Sequence, residues 1–246
     1  MINISVVSYL NSLPFIYGLK ESNLINKISL SLDYPSVCAR KLINMEIDVG
    51  LVPSVLLKDY PNLNIISDYC IGSDDKVETV CIYSEVPIEK VKIIYLDYQS
   101  NTSVELLKIL IREYWNISPE LIDTSVGFEK LISGKNAALV IGDRAFELNS
   151  KYKFIYDLSS SWKDLTGLPF VFAVWASYNM FSLDFIREFN NALGSKLNKI
   201  DSLIKDYENI SDYCKDPKNY LKYKISYLLD EKKKESMRVF FNKIIR

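Results

Sequence analysis

The residues of this chain best suited to chemistry are neutral hydrogen-bonding groups placed just after apolar runs. In "VVSYLNSLPF", Ser8, Asn11 and Ser12 interrupt the first apolar run ahead of Pro14. Pro53-Ser54 closes "DVGLVPS", and Ser100, Thr102 and Ser103 follow the run within "KIIYLDYQSNTSVELLKILI". Gly142-Asp143 stops "AALVIGD", and "DLTGLPFVFAVW" carries Thr166-Gly167 and then Phe170. Hydroxyls, an amide and free backbone N–H groups at strand-to-helix junctions can hold an anion, because the helix dipole points its positive end there. Capping alone accounts for any single cluster, since Ser, Thr and Asn are favoured N-caps. Four clusters on corresponding junctions argue for a shared pocket. Asp143 reads as a turn residue or an acid, and Arg144 as a surface residue or a partner for a ligand carboxylate. Phe170, Phe172 and Trp175 fit a core strand, with Thr166-Gly167 as a tight turn and Phe170 as an aromatic wall.

Such clusters need elements to aim them. Strands are expected over Ile2–Val7, 28–32, 49–52, 80–83, 92–96, 137–141, Phe154–Asp157 and 171–175. Helices are expected over 11–21, with Pro14 tolerated in the first turn, and from Pro35, where Cys38, Leu42 and Met45 share a face. The helix after Ser100 is strongly amphipathic: Val104, Leu107, Ile111 and Tyr114 line one face, and Glu105, Lys108 and Arg112 the other. A short helix is expected over 127–134. Beyond residue 182 the strand signals fade into helices over 185–196, 201–207, 217–229 and 230–245. Strand-helix alternation predicts an α/β protein with mostly parallel sheets. Two alternating blocks predict two lobes, 1–87 with 173–246 and 88–172, and a ligand cleft between them.

Composition narrows the chemistry. The chain has 246 residues and no histidine, so a Ser-His-Asp triad, a Cys-His dyad, an H-E-x-x-H zinc site and an imidazole base are excluded. Any enzyme here must use carboxylates, Lys, Tyr or Cys, or a base on the substrate. Among the 17 tyrosines, Tyr9 stands nearest the first polar cluster, where it could transfer a proton or simply pack. Net charge is −1, with 30 basic and 31 acidic residues, so neither nucleic acid nor an anionic membrane is an expected partner. No apolar stretch approaches the ~18 residues of a membrane span. The N-terminus lacks the order of a signal peptide, which makes the cytoplasm the expected location. Cys38, Cys70, Cys81 and Cys214 show no C-x-x-C pair and read as small buried hydrophobes in a reducing compartment. No P-loop, G-x-G-x-x-G, G-x-S-x-G or EF-hand pattern occurs, so neither a nucleotide cofactor nor a metal is expected.

Taken in order, "SYLNSLPF", "DVGLVPS", "LDYQSNTSVELLKILI", "IGD" and "TGLPFVFAVW" resemble the MqnA family, chorismate dehydratases of the futalosine route to menaquinone. The match runs from Val6 to Trp175. The resemblance implies a fold like type II periplasmic binding proteins and loss of water from chorismate to give 3-[(1-carboxyvinyl)oxy]benzoate, without a cofactor. Removing the ring C3 proton and the C4 hydroxyl aromatises the ring, and charge builds on the ring carboxylate. On this reading Asn11 holds the leaving hydroxyl or the enolpyruvyl carboxylate, with Ser8 and Ser12 beside it. Ser54, Ser100, Thr102 and Ser103 hold a carboxylate, and Gly142, Asp143, Thr166, Gly167 and Phe170 complete the site. No general base stands out, which leaves the substrate's own enolpyruvyl carboxylate to take the proton. A sister family acts on cyclic dehypoxanthinyl futalosine and is associated with a histidine base, which this chain lacks. Family members commonly have arginine where this chain has Asn101. If that arginine meets a carboxylate, Arg144 must compensate here; if it only packs on the surface, nothing changes. A solute-binding protein or the sensing domain of a regulator would share the fold, and would return the ligand unchanged.

Overall fold

The computed structural model describes residues 1–206 and 214–245. In chain order the first part holds β1 (Ile2–Val7), α1 (Leu13–Lys20), β2 (Ile28–Asp33), α2 (Pro35–Ile43), β3 (Val49–Pro53), α3 (Leu56–Asp59) and β4 (Asn64–Ser73). The middle holds β5 (Val80–Ser84), β6 (Ile93–Leu96), α4 (Asn101–Leu110), β7 (Glu120–Asp123), β8 (Asn136–Ile141), α5 (Arg144–Leu148) and β9 (Phe154–Asp157). Then come α6 (Leu158–Thr166), β10 (Phe170–Ser177), α7 (Leu183–Gly194), α8 (Ile200–Asp206), α9 (Pro217–Asn219), β11 (Ser226–Leu228) and α10 (Glu231–Lys243).

The strands form two sheets. One has six strands in the order β11-β4-β10-β3-β1-β2, the other five in the order β7-β6-β8-β5-β9. Both are mixed, where the alternation had predicted mostly parallel pairing. β1 runs parallel to β2 and β3, but β10 is antiparallel to β3 and β4. In the second sheet β6 is parallel to β7 and β8, while β5 is antiparallel to β8 and β9. The cause is that the chain passes between sheets directly from β4 into β5 and returns through α6 into β10. Strands at such crossings enter against their neighbours.

These crossings also correct the expected lobe of 1–87. β5 lies in the second sheet, where Cys81 and Tyr83 pack with Ala138, Val140 and Phe128 in a core of their own. Residues 74–79 therefore make the first crossing. β10 joins the first sheet from Phe170 onward, so Phe170, Val171 and Phe172 leave the expected second lobe.

Most expected elements form, with informative exceptions. The helix expected over 11–21 opens with a tight turn at Leu10–Ser12, and α1 proper begins at Leu13 with Pro14 in its first turn. That turn keeps Asn11 off the helix barrel and at the end of β1. The segment 127–134 holds only a short turn, Phe128–Leu131. The helix expected over 217–229 breaks after Asn219 into a wide turn and then β11, because the edge of β4 is open to pairing there. The helix expected over 201–207 ends at Asp206, and Tyr207 lies outside the described residues. α3, β4, β7, α5 and α6 carry no expectation. Among the described residues no helix is long and apolar enough to cross a membrane. All four cysteines are buried and unpaired, and burial pushes the Cys38 and Cys70 thiols up to about 12.

Candidate active site between the sheets

A cleft opens where the carboxyl ends of β1, β3 and β8 meet the N-terminus of α4. The first sheet contributes Val7, Tyr9, Asn11, Pro53, Ile71 and Phe172 to its walls. Val77 and Thr79 come from the first crossing, and Ser100, Ser103, Ile141 and Gly142 from the second sheet. The walls are largely apolar, and the polar groups among them are a phenol, an amide and three aliphatic hydroxyls. Among the described residues no lysine or arginine lines the cleft.

Ser100 caps α4: its Oγ accepts from the Ser103 N–H at 3.2 Å and lies 3.0 Å from Ser103 Oγ. The other first-turn amides of such a helix have no partners within it, and Ser100 and Ser103 at its head line the cleft. Thr102 turns the other way. Its Oγ1 accepts from the Val55 N–H at 3.2 Å and ties α4 to the loop after β3. Ser54 is also turned from the cleft: buried, it donates through Oγ to the Val171 carbonyl at 2.7 Å and straps β3 to β10. Ser12 stands behind Asn11 and donates to its Oδ1 at 3.1 Å. Ser8 is exposed, its backbone N–H bonded to the Asp33 carbonyl.

The expectation for residues 166–170 fails on geometry. Thr166 Oγ1 donates to the Trp162 carbonyl at 2.8 Å and accepts from the Leu168 N–H, so it closes the end of α6. Gly167 supplies the left-handed residue that ends the same helix, at φ +76°. Phe170 is buried against Trp162 and Phe240. The aromatic wall of the cleft is Phe172, two positions along β10 and on the same face of the strand.

Behind the cleft a buried network joins the two sheets. Tyr9 donates its hydroxyl to Gln99 Oε1, which also accepts from Arg144 at 3.1 Å. Arg144 pairs with Asp97 and Glu129, each at 2.6 Å, and lies against the Tyr98 and Phe128 rings. Its charge is thereby spent within the protein, which removes it as a compensating ligand for a substrate carboxylate. Asp97 is buried, and desolvation raises its pKa despite the facing guanidinium. Tyr9 is held far above the ordinary phenol range by burial and by Asp97, so its proton stays in place and its role is packing and orientation. Gly142 lies against the flat of the Tyr9 ring at φ +68°, where an added Cβ would stand 2.6 Å from it. Next to it, Asp143 accepts the Leu10 N–H with both oxygens at 3.1 Å, and burial raises its carboxyl to about 6. Asp143 thus fastens the turn after β1 and does not line the cleft.

Asn101, at the head of α4, is exposed and borders a different surface groove with Asp123 and Lys108. A longer side chain at this position would start from outside the cleft. Sequence reasoning missed Thr79, Phe172, Gln99 and Asp97. Asp97 and Gln99 had a signal, as polar residues directly after an apolar strand; Thr79 had none.

The sequence model of a family described as menaquinone biosynthesis matches residues 2–245. Among curated relatives, the chorismate dehydratase of Thermus thermophilus is 31% identical over 160 residues, spanning 58% of each chain. The chorismate dehydratase of Campylobacter jejuni is 26% identical over 244 residues, covering 95% of this chain and 93% of the relative. Among solved structures, a protein of Archaeoglobus fulgidus superposes with a TM-score of 0.73 at 14% identity, covering 98% and 96% of the two chains. The periplasmic aliphatic sulphonate binding protein of Escherichia coli superposes at 0.61 with 13% identity, covering 98% and 86%. At these identities the likeness is one of fold, that of a periplasmic binding protein.

Proposed function

This chain belongs to the menaquinone biosynthesis family, and on that premise we propose that it is a chorismate dehydratase, a hydro-lyase converting chorismate to 3-[(1-carboxyvinyl)oxy]benzoate. The observation that carries the reading is the cleft itself: apolar walls, with Asn11 on one side and the head of α4 with Ser100 and Ser103 on the other. The names of the two curated relatives described above support the same reaction.

The residues divide the work as follows. Ile71, Val77 and Phe172 exclude water and give the ring a flat apolar seat. The ring carboxylate lies at the head of α4, where oriented N–H groups and the Ser103 hydroxyl meet the charge that builds as the C3 proton leaves. Asn11 holds the C4 hydroxyl as it departs. Among the described residues no general base stands at the cleft surface: Asp97 is bound by Arg144, Asp143 by the Leu10 N–H, and Tyr9 keeps its proton. The enolpyruvyl carboxylate, carried beside C3 by the substrate, takes that proton. Aromatisation supplies the driving force, so the protein's task is orientation and a dry, polarised setting. Closure brings two lobes together, with the chain crossing at 74–79 and again ahead of β10.

Incubating the purified protein with chorismate and following the ring protons by NMR tests the reading. Conversion to an aromatic product is the expected result. Chorismate bound and recovered unchanged would identify a binding protein of the same fold.

A further inference from the structure

The turn that carries Asn11 is held by two distant parts of the chain. From the second sheet, Asp143 accepts the Leu10 N–H with both carboxylate oxygens. Within the turn, the Ser12 N–H reaches the Tyr9 carbonyl at 3.0 Å, and the Leu13 N–H reaches the Leu10 carbonyl. From the C-terminal part of the chain, the Tyr227 hydroxyl donates to the Asn11 backbone carbonyl at 3.1 Å.

β11 places Tyr227 for this contact. Ser226 and Leu228 pair with Gly72 and Tyr69 on the edge of β4, and strand alternation sends the residue between them to the opposite face. Leu228 is accordingly exposed, and Tyr227 is buried. Phe15, in the first turn of α1, packs edge-on against the Tyr227 ring with centroids 5.3 Å apart. A phenylalanine would satisfy that packing, so the hydroxyl is what the tyrosine adds. A buried phenol needs a partner, and a carbonyl can only accept, so the direction of this bond is fixed. Burial holds the phenol far above its ordinary range, and it stays a donor. The Asn11 side chain is fixed separately, by Ser12 Oγ donating to its Oδ1 at 3.1 Å. Tyr227 thus sets the peptide plane beside the Asn11 Cα, and Ser12 sets the amide at the far end.

We propose that Tyr227 is a positioning residue: its hydroxyl holds the Asn11 peptide so that the side-chain amide meets the cleft ligand in one direction. That the group met is a leaving hydroxyl rests on the reading of the chain as a chorismate dehydratase. The hold on the Asn11 turn does not.

The Tyr227→Phe variant tests this with two readouts. In chorismate turnover, kcat falls about fivefold to tenfold with KM within about twofold, as for misplacing a donor used in the transition state. In an Asn11→Ala background the same change costs less than about twofold, because the side chain it positions is gone. The second readout is independent of turnover. The Ser12 and Leu13 amides, which close the turn, exchange with solvent about fivefold faster in Tyr227→Phe, as for the loss of one hydrogen bond, while the amides of β8 keep their rates. A wild-type chain inactive on chorismate would overturn the functional reading, and amide exchange would then decide the role of Tyr227 alone. Unmoved Ser12 and Leu13 exchange, or equal acceleration in β8, would overturn that role. So would an active wild type in which Tyr227→Phe leaves kcat unchanged, raises KM alone, or acts additively with Asn11→Ala.

Discussion

Asn11 and Asp143 show how differently two polar residues of one turn can serve a site. Asn11 reaches the cleft; Asp143 stays one layer behind and fastens residues 9–10 to the second sheet. That fastening has a pH signature. Burial raises the Asp143 carboxyl from 3.8 to about 6, so the folded chain binds this proton more tightly than the unfolded chain does. The stability it contributes is full below about pH 4 and is lost as pH rises through about 6. Relative to Asp143→Asn, which cannot titrate, the wild type should lose about 2 kcal/mol between pH 4 and 7. Urea unfolding of both proteins across that range checks this, and parallel stability curves would contradict it. Sequence reading placed Asn11, Ser100, Ser103 and Gly142 among site candidates because each follows an apolar run, and all four line the cleft. It also gathered Ser54, Thr102 and Thr166, whose hydroxyls are spent on backbone partners. A hydroxyl's direction is decided by such partners, which spacing along a strand does not reveal.

At the scale of elements, Asp157 is the joint on which the cleft wall depends. Its carboxylate accepts from Ser159 and Ser160 at the head of α6 and from Val77 and Glu78 in the crossing loop. Four backbone donors converge on one buried side chain, and Val77 on that loop lines the cleft. Asp157→Ala leaves these donors unpaired and should cost about 3–5 kcal/mol in chemical denaturation. A loss below about 1 kcal/mol would mean that water replaces the carboxylate fully. The strand-helix order around Asp157 was legible as far as β9, since "FIYD" is a clean β run. α6 was not, because "LSSSWKDLT" offers three serines in its first turn and only the Asp157 cap identifies it as a helix. β11 was hidden for a different reason. Its three residues read like the helical stretch around them, and only the open edge of β4, far away in sequence, makes them a strand.

For the whole molecule, the two-sheet architecture and its cleft followed from the alternation of elements, while the crossing points did not. Where a chain passes between sheets depends on which neighbour a strand finds, and β5 found β8 and β9. The cleft that results holds a dianionic substrate without a cationic side chain among the described residues of its walls, on the functional reading proposed above. Binding by neutral dipoles is short-ranged and weakly screened. KM for chorismate should therefore change less than about twofold between 50 mM and 500 mM salt, roughly a threefold change in screening length. A rise of tenfold would reveal a lysine or arginine in contact with the substrate. The account turns most directly on Asn11. Wild type and Asn11→Ala, given chorismate side by side and read by mass spectrometry, should both yield a product one water lighter, with Asn11→Ala slower by about ten- to a thousandfold. Chorismate returned unchanged by the wild type, or an Asn11→Ala variant with undiminished kcat/KM, would contradict it.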